Sequence, residues 1–148
     1  MIVTLVVVQL ILLIYHQVTT WFDFFPFNGA RNYTVKEKCL EAGSNCILMS
    51  LAPIGYIFKI ADLVIYGAYY YWILFAIEVL TWWVPYFFKP SKKWAEVHER
   101  LHGETIMFLP HRGNNPAPNL EHTILHGWTL VTALLTTYCY LKVTLPTG

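Results

Sequence analysis

The chain reads as an all-α integral membrane protein: a bundle of four transmembrane helices with one or two amphipathic helices at the interface. Three observations predict this class. The 148 residues are 56% hydrophobic and only 13% charged, against roughly 25% charged in an average soluble domain. The apolar residues are gathered into runs rather than dispersed, as a hydrocarbon solvent requires. Ten tyrosines and six tryptophans suit headgroup depth, where one end of the ring stays wet. The length fits a single membrane domain over residues 1–148. A net charge of +1 leaves no nucleic-acid footprint. The three cysteines, Cys39, Cys46 and Cys139, form no Cys-x-x-Cys pair, so neither a disulfide framework nor a thiolate metal site is expected.

The first span is expected over residues 2–20. No Lys or Arg precedes Arg31, and no small-residue cleavage site follows the apolar run, so the run reads as a retained helix rather than a signal peptide. His16 and Gln17 fall at its far end. Residues 21–43 form the first polar connection, an aromatic stretch broken by Pro26 and Gly29 and followed by a short amphipathic helix from Thr34 to Ala42. Thr34 with Glu37 three residues on has the capping-box pattern. The second span, 44–60, is short and contains Pro53 and Gly55, which predicts a kink. Lys59 and Asp62 mark a tight turn, so spans two and three form an antiparallel hairpin.

Residues 63–88 form the longest apolar run and carry one acid, Glu78, near mid-membrane. The run ends in the aromatic belt Thr81 to Phe88 with a late proline. Ser91 to Phe108 has the pattern of an amphipathic surface helix capped by Ser91, with His98 and His102 at the flank of its apolar face. Pro110 to Pro118 is too rich in proline to be helical. The fourth span covers 119–141, with Asn119 as N-cap and Glu121 in the first turn, where an acid suits the helix dipole. His122, His126, Thr129, Ala133 and Thr136 recur at helical spacing, a polar and small stripe expected to face other helices.

Four spans place the connections 21–43 and 89–118 on one side. These hold Arg31, Lys36, Lys38, Lys89, Lys92, Lys93, Arg100 and Arg112, while the other side holds only Lys59 and Lys142. The positive-inside rule then puts the histidine segment in the cytoplasm and both termini outside. Cys39 and Cys139 would lie on opposite sides and could not pair.

The chemistry concentrates between Ser91 and His126. Five of six histidines fall there, and two pairs share one spacing, His98-x-x-x-His102 and His122-x-x-x-His126. Histidines four apart lie on one helix face and can share a metal. Glu96, Glu99, Glu104 and Glu121 are close in sequence, and Glu99-x-x-His102 has the spacing found in carboxylate-bridged di-metal bundles. The paired histidines at a cytoplasmic span end loosely resemble the histidine boxes of membrane di-iron desaturases and fatty-acid hydroxylases. That resemblance covers residues 98–126 alone, without the His-x-x-His-His box of those enzymes. It implies that His98, His102, His122 and His126 are iron ligands.

Glu78 is the sharpest single residue. A charge at mid-bilayer costs roughly 3 kcal/mol on insertion scales, so the side chain is expected inside the bundle as a ligand, an acid–base group or a proton relay. A neutral carboxyl bonded to another span is the structural alternative. Arg31 and Arg112 could hold a phosphate or carboxylate headgroup, or could simply snorkel to the interface. No Gly-x-Ser-x-Gly, P-loop, dinucleotide fingerprint or His-Glu-x-x-His occurs. The leading expectation is a membrane-embedded enzyme using iron or zinc and acting on a lipid or other hydrophobic small molecule. Its ligands would be His98, His102, His122 and His126, its ligand or acid–base carboxyls Glu78 and Glu121, and its headgroup contacts Arg31 and Arg112. The alternatives are a non-catalytic membrane subunit, or a proton-coupled carrier using Glu78 and His126, which at this length would be a homo-oligomer.

Overall fold

A computed structural model describes residues 1–144. The elements are α1 (Ile2–Trp21), a 3-10 turn (Ala30–Asn32), α2 (Val35–Phe58), α3 (Ala61–Glu78), a π-helical turn (Val79–Trp83), α4 (Val84–Phe87), α5 (Lys92–His102) and α6 (Leu120–Thr144). The described residues contain no β-strand, only isolated bridges such as Met107 with Asn119. Three helical stretches, Ile2–Trp21, Ala61–Phe87 and Leu120–Lys142, are long and apolar enough to cross a membrane. α1 packs on α2 and α6, and α3 packs on the same two helices. α1 and α3 end at the same end of the molecule where α6 begins, and α2 returns between them.

The packing inverts that of a water-soluble protein. Val7 and Ile14 of α1, Ile73 and Ile77 of α3, and Leu134 of α6 are exposed, whereas Gln9, Thr129, Thr132 and Thr136 are fully buried. Lipid makes that arrangement favourable, because polar side chains there find partners only on other helices. The apolar core is Leu12, Met49, Ala52, Tyr71, Leu125 and Ala133.

The expected amphipathic helix and the second span are one continuous helix. Thr34 and Glu37 form the capping box, and Gly43 does not interrupt the helix, since a lone glycine costs only about 1 kcal/mol against alanine. Pro53 sits inside α2 and has no N–H to offer the Met49 carbonyl one turn back. The Tyr71 hydroxyl of α3 donates to that carbonyl at 2.8 Å, so the neighbouring helix supplies the missing bond. α2 ends on Lys59 in the left-handed conformation, φ 57°, which turns the chain straight into α3. The hairpin is tight: a Cβ on Gly67 would stand 2.4 Å from the Ala52 backbone nitrogen.

The surface helix is shorter than its pattern suggested. α5 is capped by Ser91, whose side chain accepts from Trp94 N–H, and it stops at His102. Residues 103–119 then run as a loop stitched to its surroundings. Ile106 N–H bonds to the Pro26 carbonyl at 2.9 Å, and Leu120 N–H bonds to the Ile106 carbonyl at 2.8 Å.

Candidate functional site: a histidine cluster around Trp82

α5 is held across the ends of α1 and α2 by polar links. Asn28, fully buried, donates to the carbonyls of Thr19 (2.7 Å) and Phe22 (2.9 Å) at the end of α1. That sets Gly29 flat against α5, where a Cβ would come within 2.0 Å of the Leu101 carbonyl oxygen. Asn32 donates to the same carbonyl at 3.1 Å. Arg100 bonds to the Asn32 carbonyl at 2.9 Å and to Glu37 at 2.7 Å. The Thr34 backbone N–H, then Arg100, holds the Glu37 carboxyl down at about 2.

This pinning turns His98 and His102 inward; both are buried. The N-terminus of α6 meets them. Asn119 accepts the His122 backbone N–H at 2.9 Å, while its amide reaches Thr105 Oγ1 at 3.2 Å and lies 3.5 Å from His102 Nδ1. One side chain thus caps α6 and ties it to the end of α5.

The π-helical turn at 79–83 delivers Trp82 into the space between. The indole stacks on the His122 ring with 4.0 Å between centroids, and lies 4.7 Å from His102, 4.9 Å from His98 and 5.8 Å from His126. The rings touch one another in sequence: His98 to His102 at 5.3 Å, His102 to His122 at 4.8 Å, His122 to His126 at 5.9 Å. All four predicted histidines therefore converge, and a tryptophan occupies the middle. Next door, the Trp83 indole donates to His126 Nδ1 at 3.2 Å. An indole can only donate, so a neutral His126 carries its proton on Nε2.

Burial, then the positive potential of His122, holds the His98 imidazole down at about 4. Burial pushes His102 well below the ordinary histidine range. Both are neutral at pH 7, the state in which imidazole ligates metals or accepts a proton. The Tyr33 hydroxyl lies 3.1 Å from His102 Nε2.

Beside the rings are two histidine–carboxylate pairs. His122 Nδ1 is 2.5 Å from Glu121 Oε2, and His16 Nε2 is 3.9 Å from Glu41 Oε1. Both pairs, with His102 and Tyr33, line a cavity of about 20 Å³, close to the space one water needs. Tyr33, Glu41, His102 and His122 also line an adjoining groove of about 830 Å³, whose walls include Leu40, Trp94, Val97 and Leu101. Among the described residues no three histidine, cysteine or carboxylate side chains are grouped closely enough to hold a metal ion as they stand.

The other predicted residues divide. Glu121 is buried in the cluster. Glu78 is buried just before the π-helical turn and accepts from Thr129 Oγ1 at 2.9 Å. Glu96, Glu99 and Glu104 are exposed, so the Glu99-x-x-His102 spacing places only its histidine at the cluster. Arg31 is engaged by Asp23 at 2.7 Å and lies over the Phe25 ring. Arg112 lies over Phe87. Neither arginine lines the cavity or the groove. The sequence reading did not include His16, Glu41, Tyr33 or Trp82 in the site. For His16 a signal existed, because the predicted topology puts the end of span one at the same membrane face as the histidine segment. For Trp82 none did, since an interfacial aromatic belt accounts for it fully. Comparison with protein-family models, with curated proteins and with solved structures finds no match to this chain.

Proposed function

We propose that this chain is a membrane-embedded, metal-dependent enzyme acting on a lipid or other hydrophobic small molecule. In this reading α2 crosses the bilayer with the three more apolar stretches. The resulting four spans place the histidine end in the cytoplasm by the charge bias of the connections. One observation carries the proposal: two histidine–carboxylate pairs from three helices share one small cavity at the foot of a large, partly apolar groove.

An ion in the cavity would draw His16, Glu41, Glu121 and His122 into one shell. Imidazole and carboxylate donors suit iron or zinc. His102 borders the same cavity and completes the donor set. His98 and His126 lie beyond Trp82, so they become ligands only if the indole moves aside; otherwise they serve as its walls. A hydrophobic substrate fits the groove, with its polar end near Lys36 and its reacting part toward Glu41 and His122. Glu78 lies deeper and is the reserve acid–base group.

The test is the metal content of detergent-purified protein by mass spectrometry. Stoichiometric iron or zinc is expected, lost in the Glu121→Ala/His122→Ala variant and kept in a variant of the exposed His111→Ala. A folded, metal-free wild-type protein would sink the proposal and favour a non-catalytic subunit in which Trp82 merely fills the space among the rings.

A further inference from the structure

Among the described residues, five buried side-chain atoms lack a hydrogen-bond partner: Gln9 Oε1, Glu78 Oε2, His126 Nε2, Thr132 Oγ1 and Trp94 Nε1. Four of the five belong to one line through the molecule. His126 and Thr132 project from α6, Glu78 is bonded to Thr129 of α6, and Gln9 donates to Thr136 Oγ1 of α6 at 2.9 Å. Positions 126, 129, 132 and 136 share one helix face. At 1.5 Å per residue they cover about 15 Å, roughly half a hydrocarbon core.

The line has an opening near each end. His126 adjoins the Trp82 cluster, which borders the 830 Å³ groove. At the other end the Tyr56 hydroxyl donates to the Thr136 carbonyl at 3.3 Å. Tyr56 also lines a separate pocket of about 490 Å³ with Lys59 and Tyr140. Other titratable groups beside the line are His122, Tyr70 and Cys139.

An unpaired polar atom in a membrane interior costs several kcal/mol, and four in register call for a common partner. Water is the simplest one, because it both donates and accepts and each buried molecule commonly joins about three groups. It suits Glu78 Oε2, Gln9 Oε1 and a donating His126 Nε2 alike. We propose that this polar file holds a chain of buried waters that carries protons between the histidine cluster and the opposite end of the molecule. No bond to carbon changes. A proton enters at one end, hydrogen bonds along the file reverse in turn, and a proton leaves at the other. The proposal does not depend on a metal, and metal content does not test it.

The experiment uses the full chain in liposomes enclosing a pH-sensitive dye, with a potassium diffusion potential to drive protons. Acidification faster than in protein-free liposomes is expected. Thr132→Val and Gln9→Leu should each lose that excess, while Thr132→Ser and the exposed Tyr69→Phe keep it. Water-edited solid-state NMR on the wild-type liposomes should show water in contact with Gln9 and Thr132, a readout that needs no variant to fold. A wild-type rate equal to the protein-free rate, full flux in both file-breaking variants, or dry Gln9 and Thr132 would each overturn the proposal.

Discussion

The bond from Tyr71 to the Met49 carbonyl exists, by our reasoning, because Pro53 cannot supply one. That can be tested by a double-mutant cycle. Tyr71→Phe removes only the hydroxyl of a fully buried ring and leaves the carbonyl without a donor. An orphaned buried acceptor costs about 1–3 kcal/mol. For a chain of this size each kcal/mol moves the melting temperature by about 2–4 °C, so a drop of about 2–12 °C is expected. Pro53→Ala restores an N–H in line with the Met49 carbonyl. In that background the carbonyl has its own helical partner, and Tyr71→Phe should cost less by about 1 kcal/mol or more, a coupling typical of directly interacting side chains. The assay is thermal unfolding in detergent followed by far-ultraviolet circular dichroism, on four proteins side by side. If Tyr71→Phe costs the same in both backgrounds, the hydroxyl is not replacing the proline's missing bond and the reasoning fails.

Trp82→Ala should be among the most damaging single changes, by about 3–5 kcal/mol for a buried aromatic, with Trp82→Phe recovering part of it; melting within a degree or two of wild type would show that the four rings do not depend on the indole. Acidification should destabilise through His98 and His102. Their native pKa values lie below the unfolded value of about 6.5, so the unfolded chain takes up protons first and stability, full above pH 6.5, falls as pH drops towards the native value near 4 of His98. Melting temperatures measured from pH 8 to 4 should fall less steeply in His98→Asn/His102→Asn; equal slopes would contradict the assignment. Gly29→Ala drives a methyl group into the Leu101 carbonyl and should cost about 1–3 kcal/mol while displacing α5, which a shift of the His98 and His102 ring signals in NMR would report. Gly67→Leu meets backbone rather than a flexible side chain and should prevent α2 and α3 from closing, read as loss of cooperative melting.

What the sequence made legible follows the range of each interaction. Caps at Thr34, Ser91 and Asn119 are local, and all three hold. The inward face of α6 was legible because helical periodicity alone brings His126, Thr129, Ala133 and Thr136 together, and all are buried. The burial of His98 and His102 was half legible: the pattern put them at the edge of the apolar face, but only Asn28, Gly29 and Asn32 press that edge inward. The fusion of two expected helices into α2 was hidden because Gly43 reads equally as a stop or as an ordinary residue. The pairing of His16 with Glu41 joins residues of different helices, with no spacing rule to reveal it. The two arginines line neither the cavity nor the groove, and for Arg31 the local partners give the reason. A guanidinium next to an aromatic and an acid in its own loop, as Arg31 is with Phe25 and Asp23, is already satisfied locally.

The wide turn at Val79–Trp83 amounts to one residue more than a regular helix needs. Neighbouring side chains on an α-helix diverge by about 100°, enough to send one of two adjacent indoles toward lipid. The looser winding narrows that angle, and here both Trp82 and Trp83 reach imidazoles. Removing a single residue from this stretch would let the helix regain its normal pitch and would re-aim everything from Val84 to Phe87. The chain therefore encodes the aim of these two indoles as a count of residues, so a deletion here should do more harm than most replacements of the same amino acids.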